Sequence, residues 1–230
     1  MGLAENLLSV RRRIEAACQR AGRDAASIRL LAVSKGMPPE VVREAVDLGL
    51  GLFGENKVQE ARAKIPLCPS RLHWHMIGHL QSNKCREAVQ LFEMIQGVDS
   101  LKLARELDHW AGQQGKTMPI LLEVNLAGES TKFGFPPDCV LDEVMAINSL
   151  PRLEIHGLMT IAPWSPDPGK ARPLFRQLRE LKTQCEQTLG APLPHLSMGM
   201  SGDFEPAIEE GATLVRIGTA LFGPRPKARG

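Results

Sequence analysis

The chain has 230 residues, 43% of them apolar and 23% charged, the balance of an ordinary soluble globular protein able to bury a sizeable core. Lys plus Arg total 28 against 26 for Asp plus Glu, so net charge makes no case for a nucleic-acid or membrane-surface protein. There is no tyrosine, which excludes any mechanism that draws a phenol from this chain.

The first element is an amphipathic helix. Leu3, Leu7, Val10, Ile14, Ala17 and Ala21 recur at three- and four-residue spacing, and Gly22 is the expected stop. Arg11, Arg12 and Arg13 fan around more than half a turn and are expected to form a solvated face. Glu5 precedes Leu7, Leu8 and Val10 and the arginines follow them, the wrong order for a secretory signal, and Asn6 breaks the myristoylation pattern.

Beyond this helix, short apolar runs alternate with helical stretches. The runs are 28–33, 50–53, 72–77, 92–98, 118–124, 153–159, 195–198 and 214–217. The helical stretches between and after them are 40–48, 56–64, 80–89, 101–114, 137–149, 170–189 and 203–210. An open doubly wound sheet gives the same alternation, but eight strands point to a (β/α)8 TIM barrel with an additional N-terminal helix. Residues 119–124 read as a nearly continuous apolar run, as strands covered on both faces do. No linker divides the chain, so residues 1–230 are expected to form one domain, with 1–22 as its leading helix and 224–230 as a flexible basic tail.

Five scattered cysteines without a C-x-x-C pair argue against a disulfide framework or structural zinc site, and a cytoplasmic location is the reading. No apolar run approaches the length of a membrane span. No metal ion is expected at His73-Trp74-His75.

In such a barrel the reactive groups sit just after the strands. Lys35 ends the first run, and a lysine held over the mouth is a potential carbonyl nucleophile, although most lysines leaving a strand simply enter solvent. Ser197-Met198-Gly199-Met200-Ser201-Gly202-Asp203 follows the seventh run and opens a helix that Ser201 is placed to cap. Its glycines and hydroxyls suit an anion where barrels customarily bind phosphate. Arg216-Ile217-Gly218-Thr219 supplies the second half: Gly218 for close backbone approach, Thr219 for a hydroxyl, and Arg216 as a cation inside an apolar run that needs either an ion-pair or a ligand partner. Together they suggest a phosphorylated aldehyde captured by lysine, which means pyridoxal 5'-phosphate (PLP). Gln81-Ser82-Asn83-Lys84 reads equally as a helix start or as part of the mouth, while Met159, Thr160, Met198 and Met200 suit packing.

On these residues the chain resembles the pyridoxal phosphate homeostasis proteins, a single-domain PLP-binding family related in fold to the N-terminal barrel of alanine racemases. The resembling motifs are Ala32-Val33-Ser34-Lys35, Phe53 through Glu60, Trp74 through Lys84, His156 through Thr160, Leu196 through Ser201 with Asp203, and Val215 through Gly223. They span nearly the whole chain in order.

The resemblance implies that Lys35 forms the Schiff base with PLP, that Ser201, Gly218 and Thr219 hold the phosphate, that Asn56 lies beside the ring and that Arg216 faces the pyridine nitrogen. A permanent cation there favours an unprotonated ring, a weaker electron sink. The implied function is regulatory: holding PLP reversibly for vitamin B6 homeostasis and passing it to PLP-dependent apo-enzymes, as a monomer without catalytic residues. The alternative is a PLP-dependent amino-acid racemase or related enzyme. Two-base racemases of the related fold pair a lysine with a tyrosine from a second domain, and this chain has neither the tyrosine nor that domain. A cysteine or histidine at the mouth would be the substitute acid if the chain turned over an amino acid.

Overall fold

The computed structural model describes residues 2–129 and 133–224. Eight parallel strands close into a barrel in chain order, β1 Arg29–Val33, β2 Leu52–Glu55, β3 His73–Met76, β4 Met94–Val98, β5 Met118–Glu123, β6 Leu153–Met159, β7 His195–Ser197 and β8 Leu214–Ile217. Pairing of β8 with β1, through Leu31 beside Arg216 and Ala32 beside Ile217, closes the ring.

Helices α1 Leu3–Arg20, α2 Pro39–Asp47, α3 Val58–Lys64, α4 Cys85–Leu91, α5 Leu101–Gln113, α6 Val140–Asn148, α7 Arg172–Leu189, α8 Phe204–Glu209 and α9 Thr219–Phe222 complete the described fold. The expected elements are all present, most with ends shifted by a residue or two. The stretch 80–89 divides into a 3-10 turn, Ser82–Lys84, followed by α4. Helix α3 starts at Val58 and not Asn56, because Lys57 is still extended at φ −135° and ψ 128°.

Period-two alternation splits the buried strand residues into two apolar sets. Leu31, Val33, Leu52, Ile77, Met94, Leu121, Met159 and Leu214 fill the barrel, while Ala32, Phe53, Trp74, Ile95, Leu122 and Val215 belong to the shell beneath the helices. Both faces are covered, which is why the strands read as continuous apolar runs.

Helix α1 packs on α8 and α9, burying Leu7, Val10, Ile14 and Ala17, and Gly22 follows it at φ +62°. Arg11 and Arg12 are exposed as expected, whereas Arg13 is half-buried. Its guanidinium pairs with Glu205 at 2.7 Å and lies 4.4 Å above the Phe204 ring, because α8 presents an acid and an aromatic to that side of α1. Among the described residues no helix is long and apolar enough to cross a membrane. Of the expected tail only Pro224 is described; residues 225–230 lie outside the described residues.

Candidate functional site

Lys35 and Asn56 leave adjacent strands at the same level. Val33 pairs with Gly54, and the Ser34 N–H donates to the Gly54 carbonyl at 3.2 Å. The alternation that turns Leu31 and Val33 inward carries Lys35 to the inner side of the mouth; the one that turns Leu52 and Gly54 inward does the same for Asn56. Both are half-buried. The buried Oδ1 of Asn56 has no hydrogen-bond partner among the described residues. Asn56 also borders a cavity of about 640 Å³ shared with Lys57, His79, Gln81 and Lys84. Thus Ser82–Lys84 is a helix start, while Lys84 at its end and Gln81 just before it line the rim.

On the other side of Lys35 stands β8. The space beside Gly218 opens onto Val33, which a Cβ would meet at an ordinary 3.5 Å, so the protein's own packing does not demand glycine there. Ser201 reaches the same corner, its Oγ accepting from the Ala220 N–H at 3.1 Å. Ser201 therefore does not cap α8. The helix begins at Phe204, its N-cap position is Asp203, and the Asp203 carboxylate turns back to accept from the Met200 N–H at 2.6 Å. The serine hydroxyl is left to join the 197–203 loop to α9. Thr219, the first residue of α9, is exposed at this corner. Lys35, Asn56, Ser201, Gly218 and Thr219 thus arise from neighbouring strands β2, β1, β8 and β7 at one end of the barrel.

Arg216 lies below them, facing inward beside Leu214 on β8 and only 4% exposed. Among the described residues it makes no ion pair. Nη1 donates to Ser197 Oγ and Nη2 to the Thr160 carbonyl, both at 2.7 Å. The chain continues as Ser197 Oγ donates to Gln96 Oε1 at 2.7 Å and Gln96 Nε2 donates to His75 Nδ1 at 2.8 Å. Burial pushes the arginine down to about 10, with Glu123 and Asp203 opposing the shift, so it stays cationic at neutral pH. His75 is pushed down to about 3 by burial, then by Arg29, His195 and His73, and is a neutral acceptor.

Glu123 completes this inner ring. It is buried at the mouth end of β5, and burial raises its carboxyl to about 7, Arg216 lowering and Asp99 raising it further. Burial likewise raises Asp203, against the Met200 N–H and Arg216. Glu123, Gln96 and His75 had no place among the expected site residues. The available signal was the one that marked Arg216: a polar residue at an inward position of an apolar strand. At the rim, His79 Nδ1 pairs with Asp99 at 2.7 Å and its ring stacks on Phe133 at 3.5 Å.

His73 and His75, two apart, share one side of β3, but His73 is paired with Glu93 and His75 with Gln96. Among the described residues no group of three His, Cys, Asp or Glu side chains is placed to hold a metal ion.

A family model for the alanine racemase N-terminal domain matches residues 6–226. The pyridoxal phosphate homeostasis protein of Aquifex aeolicus is 45% identical over 226 residues, 98% of this chain and 99% of that protein. That of Pseudomonas aeruginosa is 44% identical over 224 residues, covering 97% and 96%. PipY of Synechococcus elongatus, solved with PLP bound, superposes with a TM-score of 0.84 at 39% identity, covering 96% of this chain and all of that one. Barrel, motif order and near full-length identity agree: the chain belongs to the pyridoxal phosphate homeostasis protein family, built on the alanine racemase N-terminal domain.

Proposed function

We propose that this protein binds PLP covalently through Lys35 and holds it for cofactor homeostasis, passing it to apo-enzymes. The observation that carries the reading is the setting of Lys35. It stands at the mouth between Asn56, whose buried Oδ1 lacks a partner among the described residues, and Gly218, where a Cβ would make only ordinary contact with Val33 and which precedes the α9 turn that Ser201 binds. A cofactor with a ring and a phosphate fits that pair of features. Lys35 would hold the cofactor through its amine, and PLP when bound would supply the aldehyde carbon for that attachment, its oxygen leaving as water.

The residues divide the work. Ser201, Gly218 and Thr219 receive the phosphate, Asn56 lies beside the ring, and Arg216 faces the ring nitrogen. The pinned guanidinium of Arg216 places a fixed positive charge there, which keeps that nitrogen unprotonated and weakens the ring as an electron sink. This favours holding over turnover. The absence of tyrosine points the same way, since a two-base racemase of the related fold needs that phenol. We assign the protein no catalytic residues and read it as a cytoplasmic monomer whose residues 1–230 act as one barrel domain; its five free cysteines suit a reducing compartment.

Borohydride treatment of the PLP-loaded protein tests attachment. Reduction is expected to fix one cofactor mass on the peptide containing Lys35, and Lys35→Ala is expected to lose it; retention in that variant would overturn the assignment. Incubating loaded protein with L-amino acids in deuterated water tests the rest. The regulator reading expects PLP delivery to an apo-enzyme without Cα exchange, and exchange at turnover rates would sink it.

A further inference from the structure

The two faces of β1 are used differently at its mouth end. Lys35 lies on the inner side, whereas the residues flanking it meet a buried ionic cluster beneath α3. Ser34, buried and turned outward, donates from Oγ to Glu55 Oε1 at 2.7 Å. Lys64, at the end of α3 and only 5% exposed, donates from Nζ to the Ser34 carbonyl at 2.7 Å, to Glu55 Oε1 at 2.7 Å and to Glu60 Oε1 at 2.8 Å. Glu60 Oε1 in turn accepts from the Gly36 N–H at 2.5 Å.

One ammonium and one carboxylate therefore grip the backbone on both sides of Lys35, while the second carboxylate holds the Ser34 side chain. The Ser34 carbonyl belongs to the peptide preceding the lysine, and the Gly36 N–H to the peptide following it. With both planes fixed, the direction of the Lys35 Cα–Cβ bond is fixed as well. Burial raises the Glu55 carboxyl, opposed by hydrogen bonds from Lys64 and Ser34. For Glu60, burial also pulls upward, but Lys64 and the Gly36 N–H outweigh it and hold the acid below its usual range. Three charged groups engaged in five hydrogen bonds are more than a seven-residue helix needs for docking, and a buried ion pair is in general a poor source of stability. What such a cluster supplies is geometry.

We propose that Lys64, Glu60 and Glu55 are positioning residues for Lys35, a clamp that aims its amine at the aldehyde. The inference rests on covalent PLP binding at Lys35. Loosening the clamp leaves the phosphate and ring contacts in place but lowers the fraction of time that the nitrogen is within reach of the carbonyl carbon.

Glu60 is the position to change, because it is half-buried and its variants keep Lys64 paired with Glu55. Stopped-flow absorbance would follow PLP capture by wild type, Glu60→Gln and Glu60→Ala, with pyridoxine 5'-phosphate, which lacks the carbonyl, as a non-covalent probe. Glu60→Ala is expected to slow capture by about tenfold or more, and Glu60→Gln, which keeps an acceptor for the Gly36 N–H, by less. Affinity for the carbonyl-free probe is expected to stay within about twofold in both, a split that general loosening of the barrel does not produce. Capture by Glu60→Ala at the wild-type rate, or an equal loss for both ligands, overturns the clamp. Absence of capture by wild type would instead overturn covalent binding itself. Lys64→Met is the second variant, expected to show the same split, and its melting curve separates loss of fold from loss of aim.

Discussion

Arg216 and His75 are the two ends of one directed hydrogen-bond chain across the barrel interior, joined through Ser197 and Gln96. The guanidinium can only donate, the neutral imidazole accepts at Nδ1, and the two middle residues each accept and pass on a donor. The direction settles the Gln96 amide orientation and the His75 tautomer together. It also means that no link can be removed without leaving a buried polar atom unpaired.

Gln96 is therefore the vulnerable link. Gln96→Leu leaves the Ser197 hydroxyl without its acceptor and His75 Nδ1 without its donor, both in the barrel interior. We expect a loss of roughly 2–4 kcal/mol in urea unfolding at unchanged slope. The double variant Gln96→Leu/His75→Phe removes the second orphan and should recover part of that loss. An unaltered midpoint for the single variant would show that the chain is not load-sharing.

Gly199 marks a place where backbone geometry is required. Its φ is +87°, and a Cβ would sit 2.6 Å from the Ala207 Cβ and 2.8 Å from the Phe204 Cα. The Arg216 N–H donates to its carbonyl at 3.0 Å, so the glycine ties β8 to the loop carrying Ser201. Gly199→Ala combines left-handed strain with a clash against α8 and should cost roughly 2–4 kcal/mol. PLP retention, followed by equilibrium dialysis, should fall with it; Gly202→Ala, where a Cβ would meet nothing within 4 Å, is the control expected to keep wild-type stability.

The architecture was legible because it rests on local patterns. Eight apolar runs and the helices between them fix the barrel, and reading the residues after each run selected Lys35, Ser201, Gly218 and Thr219 as candidates without a relative. Asn56 needed the resemblance, since an asparagine after a strand carries no pattern of its own. Glu123 escaped because the run 118–124 was read by its apolar members, which hid the one acid among them. The Ser201 cap was misplaced because a serine three residues before a helix and an aspartate at its edge look alike in sequence; only the position of α9 decides which hydrogen bond forms. Contacts such as Arg13 with Glu205, separated by 192 residues, have no local trace.

Helix α8 is held between two sets of arginines, and this should give the protein an acid-sensitive seam. Glu209 pairs with Arg20 at 2.7 Å and with Arg172, while Glu210 meets Arg176 at 3.1 Å and Arg179 at 3.0 Å. Burial raises both carboxyls, but the arginines outweigh it and hold them below their ordinary value. With the folded pKa below the unfolded one, the contribution is present above the unfolded pKa and is lost as pH falls through the folded one. The arginine side chains are substantially exposed, so the effect is modest and screened by salt. Glu210→Gln should lower Tm by a few degrees at neutral pH and low salt, and by progressively less as pH drops or salt rises. A difference from wild type that is independent of both would assign the loss to packing.

Glu123 gives the opposite sign in a different pH range. Its carboxyl titrates at about 7 in the fold against an ordinary value of 4.5, chiefly through burial. Between those two values the folded state carries the extra proton, so stability falls as pH rises from the unfolded pKa to the folded one and then levels. The full penalty at alkaline pH is about 3 kcal/mol on this shift. Glu123→Gln stays neutral throughout, so it should match wild type near pH 4.5 and exceed it above pH 7, with the downward slope gone. The same ionisation adds a negative charge beside Arg216, the residue expected to face the ring nitrogen of an anionic cofactor. Retention of PLP by wild type should therefore weaken as pH climbs through 7, and the Gln variant should flatten that profile. Urea midpoints and equilibrium dialysis across this range read the two effects separately. If the glutamine variant keeps the wild-type slope in both, the titrating group is not Glu123.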